Sequence, residues 1–475
     1  MATDPKVIVL EFNELVPHLV SRFIEQGKLP NFARLRDESM VAVTDAEEAP
    51  PALEPWIQWV TVHTGLTYAE HKVFDLDDGA KLDEPRIWDL ASDVGRKVWI
   101  CGSMNAGVRG DSINGLVMPD PWASSARPMP AGLFDPYLDL VRAYVQEYTS
   151  DKPPVTKAMM LRFGRFMLGN GLSLKTVMDT LRQLADERRN PSKWRRAAIL
   201  DRLQWDVFRK FYRKTTPALA TFFLNSTAHF QHYYWREMEP DAFRVRSSEE
   251  SQRKYADAIL FGYQKMDEII GEAFALADKD TSIVLCTALS QQPMLTHEET
   301  GGKQMFKPVD QARLFAFAGI TAPYEYAPVM SQQFHLVFEN EEDAIDAERK
   351  VAALRIDDGS IDDLMLARRD GNRLFSGCNL EAWPSPEAKI LSSASNEALP
   401  FSELFYPLES VRSGMHHPDG ILWIRTPQRA HSVVDRKISL TEIAPTLLEL
   451  AGVRTNHRFA SAPISEVDSM ARAAA

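Results

Sequence analysis

Lys6-Val-Ile-Val-Leu-Glu-Phe-Asn-Glu14 is the stretch whose reading decides the fold. Val7 to Leu10 make an unbroken β-branched and aliphatic run, the pattern of a strand buried on both faces of a parallel sheet. An amphipathic pattern follows at once. Leu15, Leu19, Phe23 and Ile24 recur at helical spacing, and Gly27 with Pro30 closes the helix. Glu11, Asn13 and Glu14 therefore fall at the carboxyl end of a parallel strand, where open α/β sheets place their ligands. The same acids would also cap the helix that follows, so position alone leaves both roles open.

Working outward, the alternation of strand and helix continues. Met40 to Thr44 reads as a second strand, and Glu47 to Pro55 as an acidic, Pro-rich loop. A helix runs from Pro55 or Trp56 through His63 and stops at Thr64-Gly65, with Pro at its start and Gly at its end. Ile87 to Ala91 is helical and Lys97 to Cys101 a strand. From Pro121 the composition shifts: several prolines, then an almost wholly helical pattern from Leu133 to Lys214, basic in its second half. This segment reads as an inserted lid, whose charges are a solvated face or a meeting point for an anionic substrate. Leu219 to Leu224 and Ser282 to Thr287 return to buried-strand patterns. Asn225 to Trp235 and Ala288 to Thr300 read as polar loops. An acidic helix between strands marks a small α/β insertion near 323–384. The predicted organisation is a core in three parts (1–120, 215–322 and 385–475) carrying a lid at 121–214 and that insertion.

With 475 residues, 45% hydrophobic and 25% charged, the composition is that of an ordinary globular protein. A formal charge of −12 argues against nucleic acid or an anionic membrane as the main partner. Three scattered cysteines, Cys101, Cys286 and Cys378, form neither a disulfide framework nor a zinc knuckle. No leader precedes the first strand and no apolar run is long enough to span a bilayer, which predicts a cytoplasmic protein.

Several blocks together resemble the alkaline phosphatase superfamily, most closely its type I phosphodiesterase/nucleotide pyrophosphatase branch. The first strand is followed by Gly27-Lys-Leu-Pro-Asn-Phe-Ala-Arg-Leu35, similar to that branch's opening. Trp59 to Gly65 resembles the helix that follows the family's nucleophile, and His71 stands where the family has a His-Gly turn. Gln231-His232 with Trp235 is similar to a loop that supplies two metal ligands. Gly414-Met-His-His-Pro-Asp-Gly420 resembles the loop of the last histidine ligand, and Ile443-Ala-Pro-Thr-Leu-Leu448 the closing helix. The resemblance implies a three-layer α/β sandwich with a mostly parallel central sheet. It also implies two metals, usually zinc, flanking a Ser or Thr nucleophile.

Position by position, most of that machinery is replaced. Asn13 stands where the first Asp ligand is expected, and the nucleophile position falls on Pro55 or, one residue back, on Glu54. The Asp-His pair after the fourth strand falls on Ala288 and Leu289. In the middle loop Ala228 replaces an Asp while His232 remains, as does His416. The ordinary two-metal mechanism is therefore not expected.

What is expected is a phosphate- or related-ester hydrolase or transferase with a rebuilt site, or else an inactive member that binds a ligand or a partner. His232, His416, Glu54 and Asn13 are the candidate catalytic residues. Glu11, Glu14, Ser290, Gln291 and Gln292 are the candidate substrate contacts. His232 and His416 would share one divalent ion at most, zinc or manganese, or none. The expected partner is a small anionic substrate, with no nucleic acid and no membrane span.

Overall fold

Strand β1 (Lys6–Phe12) sends its side chains alternately to two cores. Ile8, Leu10 and Phe12 enter one, Val7 and Val9 the other, all fully buried. Each such side chain is worth roughly 1.5–3 kcal/mol once removed from water, so β1 has no solvent face to offer and sits mid-sheet. The computed structural model describes residues 4–76, 78–123, 125–146, 155–190, 192–300, 302–329, 332–357, 363–408 and 411–467.

Among the described residues nine strands make the central sheet. β1 is flanked in parallel by β5 (Leu219–Leu224) and β6 (Thr281–Cys286), and β5 continues in parallel to β3 (Val98–Cys101) and then β4 (Gly115–Met118). On the far side of β6 the strand Asp419–Arg425 runs antiparallel and links β6 to β2 (Met40–Asp45). The helices Pro17–Glu25, Pro30–Asp37, Ala197–Thr215 and Ala258–Leu276 cover one face. Pro55–Thr64, Ile87–Asp93 and Ile443–Leu450 cover the other. The architecture is the expected α/β sandwich, with strands from the beginning, middle and end of the chain in one sheet. A third core lies between Phe306 and Phe405, around an antiparallel sheet of four strands and the helix Glu341–Ala352.

Two expectations need correction. Asn225–Trp235 is not a loop: Ser226–Met238 is a helix buried on every side from Ser226 to Trp235 save His229, so it shows no apolar stripe to read. Ala288–Thr300 contains a strand, Ser290–Pro293, with no alternation of its own. It exists because Gly414–His417 pairs with it, His416 opposite Gln291. Part of the predicted lid, 147–154, and the last eight residues lie outside the described residues.

His71 shows how one buried ring joins these elements. Val73 N–H donates to its Nδ1 at 3.1 Å, which leaves Nε2–H to donate to Thr61 Oγ1, also 3.1 Å away. Burial pulls this imidazole down from 6.5 to about 4, with only weak opposition from Glu70. The unfolded chain therefore takes up the proton first on acidification. Stability is lost as pH falls through the window from 6.5 towards 4, by up to about 3 kcal/mol. In His71→Asn, whose carbonyl oxygen can still accept from Val73, the drop in thermal midpoint between pH 7 and about pH 5 should be clearly smaller than in the wild type.

Candidate active site

Three segments that are remote in sequence meet at the carboxyl end of β1. Glu14 leaves the strand with a positive φ of 62°, a strained setting for a non-glycine residue, and turns its carboxylate inward. The strain is held by its neighbours. Gln231 Nε2 donates to the Glu14 carbonyl at 2.7 Å, and Tyr263 O–H donates to Gln231 Oε1 at 2.7 Å. Asn13 Nδ2 donates to Glu14 Oε1 at 2.8 Å, and Gln291 Nε2 donates to Glu14 Oε2.

Onto that same Oε2 converge two imidazoles. His232, from the buried helix, brings Nε2 to 3.2 Å, and His416, from the Gly414–His417 strand, brings Nε2 to 3.7 Å. The far nitrogen of each ring is already engaged: His232 Nδ1 lies 3.1 Å from the Gly414 carbonyl, and His416 Nδ1 lies 3.0 Å from that of Leu53. A carbonyl only accepts, so both Nδ1 atoms carry a hydrogen and both Nε2 atoms face a carboxylate. Gly414 permits this approach, because a Cβ there would strike the Gln231 carbonyl and the Gln291 amide.

The arrangement suits positive charge at the carboxylate, carried as a proton on Nε2 or as a metal ion between the three groups. The three donors lie within 4.8 Å of one another. Donors bound at ordinary zinc distances in a tetrahedron stand roughly 3.3 Å apart, close to the 3.2 and 3.7 Å seen here. Two imidazoles and one carboxylate are a familiar donor set for a single catalytic zinc, with second nitrogens anchored on carbonyls. Burial works against charge on Glu14, but the positive charge that a proton brings to His232 or His416, with hydrogen bonds from His232 and Gln291, outweighs it and holds its carboxyl at about 2. Burial also pulls His416 down to about 4 against the attraction of Glu14, which leaves its ring a neutral donor.

Asn13, Ala288 and Leu289, where the resemblance implied further ligands, offer no free donor. Asn13 is fully buried, and its only oxygen accepts from Trp59 Nε1 at 2.9 Å. Its nitrogen is committed to Glu14 and to Asn225 Oδ1. Ala288 and Leu289 are fully buried in the apolar core.

The other predicted residues separate into three groups. Glu54 Oε2 lies 3.4 Å from His416 Nδ1, with 31% of its side chain exposed, and forms the open edge of the cluster. Burial raises its carboxyl, Arg412 lowers it, and the charge of Glu14 raises it again, for a net rise. Gln291 positions Glu14 and also donates to the Ala228 carbonyl at 3.0 Å, while Gln292 donates to the His416 carbonyl at 3.2 Å and Ser290 is buried in the strand. Glu11 stays inside β1, paired with His63 Nε2 at 2.8 Å beneath Trp88. Sequence reasoning placed Glu14 beside substrate rather than among the metal donors. The available signal was a carboxylate one residue beyond the vacated Asn13, matched by the loss of a carboxylate at Ala228.

Residues 7–362 match the family model for type I phosphodiesterase / nucleotide pyrophosphatase. The chain belongs to that family. Among curated proteins none matches it in sequence. Among solved structures, this phosphodiesterase-family chain is similar to phosphonoacetate hydrolase from Sinorhizobium meliloti 1021 in complex with phosphonoformate. The identity is 12%, over 95% of this chain and 96% of that one, with a TM-score of 0.42. It is similar to an inactive variant of murine ectonucleotide pyrophosphatase/phosphodiesterase 5 in complex with AMP, at 10% identity, 96% and 97% coverage, and a TM-score of 0.40. A mutant of the alkaline phosphatase PafA is similar at 14% identity, 98% and 99% coverage, and a TM-score of 0.42. The family model ends before His416, so that residue's place in the cluster rests on the geometry above.

Proposed function

We propose that this family member hydrolyses or transfers a phosphate or related ester at a mononuclear divalent centre built from Glu14, His232 and His416. The observation that supports this reading is the convergence of two Nε2 atoms on one carboxylate oxygen, each ring fixed by a carbonyl at its other nitrogen. A divalent ion bound there would supply Lewis-acid polarisation of an ester oxygen. The chain's own groups would do the rest. Glu54, kept protonated at neutral pH by its surroundings, would deliver its proton to the departing oxygen. Arg412 and Lys303, which bridge each other through their backbones and whose charges both act on Glu54, would hold the substrate anion, Lys303 while also paired with Glu381. Water would be the attacking group, since Glu54 and Pro55 offer no hydroxyl where the family has one.

A second reading is a member that binds a phosphorylated ligand without turnover. It is favoured by the enclosure of the cluster, where Glu14 is 2% and His232 9% exposed. Elemental analysis of protein purified without chelator should find about one divalent ion per chain, and not two. Chelation should abolish hydrolysis of aryl phosphate mono- or diesters, nucleotide sugars or sulfate esters, and zinc or manganese should restore it. Metal binding with no turnover on any of these would favour the second reading. Two tightly held ions would overturn both the alignment and the site.

A further inference from the structure

Charge is spread unevenly along this chain. Residues 157–196 carry ten Lys and Arg against three Asp and Glu, a local balance of +7 in a chain of −12. Of two helices in this segment, Lys157–Gly169 joins the core through Phe166 and Met167, while Leu174–Asp186 buries only Thr176. Their outward faces are not polar. Leu168 and Leu174 are 77% exposed, Leu161 65% and Leu181 57%, and Met160 and Met178 stand out beside them. The spacing 174, 178, 181 on one helix and 161, 168 on the other makes each set a stripe along its helix.

Cations border both stripes. Lys157 and Arg165 stand four residues either side of Leu161, and Arg182 four after Met178, so each is a helical neighbour of an exposed apolar side chain. Lys157, Arg165, Arg188 and Arg189 are exposed and, among the described residues, make no ion pair.

We propose that these two stripes dock on the surface of an anionic phospholipid bilayer. Unbranched and γ-branched aliphatic side chains projecting from successive helices suit insertion between acyl chains, and the cationic border suits the headgroups above them. A protein partner fits less well, since binding hot spots are rich in Trp and Tyr and poor in Leu, and the stripes contain neither aromatic. The acidic remainder of the chain is repelled by the same surface and would keep this face turned down. Attachment is peripheral, for among the described residues no helix is long and apolar enough to cross a membrane. At the foot of this segment Trp194 packs edge-on against Phe230 at 5.5 Å, on the helix that carries His232. The docking face thus has a rigid neighbour in common with the site, although the proposal does not depend on the chemistry there.

The test is flotation of the full chain with vesicles of phosphatidylcholine, with or without phosphatidylserine. The chain should float with the anionic vesicles, bind neutral ones about tenfold or more weakly, and be released by salt. A variant combining L161S, L168S, L174S and L181S, and another combining K157E, R165E, R188E and R189E, should each lose about tenfold or more in vesicle affinity. Circular dichroism and thermal midpoint should hardly change, since all eight side chains are exposed; should the serine variant misfold, the charge-reversal variant decides. A wild-type chain that stays below the anionic vesicles overturns the proposal, as does a serine variant that floats equally well. A wild-type dimer that the serine variant turns into monomers in light scattering would assign the face to a second copy instead.

Discussion

Glu14→Gln should remove more than about a hundredfold of divalent-ion affinity, since even the loss of a group that merely orients a ligand reaches that range. Glutamine keeps the shape of the side chain but brings no charge, and Glu14 is the only carboxylate among the three donors. The change should also cost some stability, because a carboxyl held at about 2 stabilises the fold as its anion and an amide cannot accept from both Asn13 and Gln291. The expected signature is a lowered thermal midpoint with circular dichroism unchanged, metal titration by calorimetry nearly flat, and ester hydrolysis lost. A Glu14→Gln enzyme with wild-type metal content and turnover would show that this carboxylate is not a ligand.

His232→Ala and His416→Ala should each cost about two to four orders of magnitude in activity, the span seen when a group acting directly in the chemistry is removed. Their stability costs should be modest. Each leaves one carbonyl without its donor, that of Gly414 or Leu53, a loss of roughly 0.5–1.5 kcal/mol. The double variant is the sharper measurement. If both rings serve one ion, the first substitution already releases it, and the second should add little. Losses that add independently would mean that the two imidazoles do separate jobs. Changes confined to stability would identify the cluster as packing inherited from an active ancestor.

Much of this was readable in the chain and the rest was not, for identifiable reasons. The runs Val7–Leu10, Leu219–Leu224 and Ser282–Cys286 announce a parallel sheet because strands covered on both faces need no polar alternation, and they pair with one another as expected. His232 and His416 were legible as a converging pair from the residues around them. The helix Ser226–Met238 was hidden because burial on nearly all sides erases the periodicity that reveals a surface helix. Glu14 was visible as a carboxylate but not as a third donor. Its left-handed backbone is imposed by Gln231 and Tyr263, which lie more than two hundred residues away in sequence. The role of Asn13 was equally hidden, since only the fold brings the Trp59 indole onto its oxygen.

The wide separation of Glu14, His232 and His416 along the chain has a bearing on biogenesis. No two of them lie in one local segment, so an ion captured by all three closes two very long loops at once. Loop-closure entropy grows only logarithmically with length, and such a clasp would bind the native state alone, adding to its stability in proportion to the logarithm of free metal. The antiparallel strand Asp419–Arg425, which wedges between β2 and β6, can take its place only after both of its neighbours have been synthesised. A ribosome-bound nascent chain ending before Gly414 would hold two donors and an exposed sheet edge. Under the proposed function, an ion could be held by all three donors only after His416 has left the ribosome.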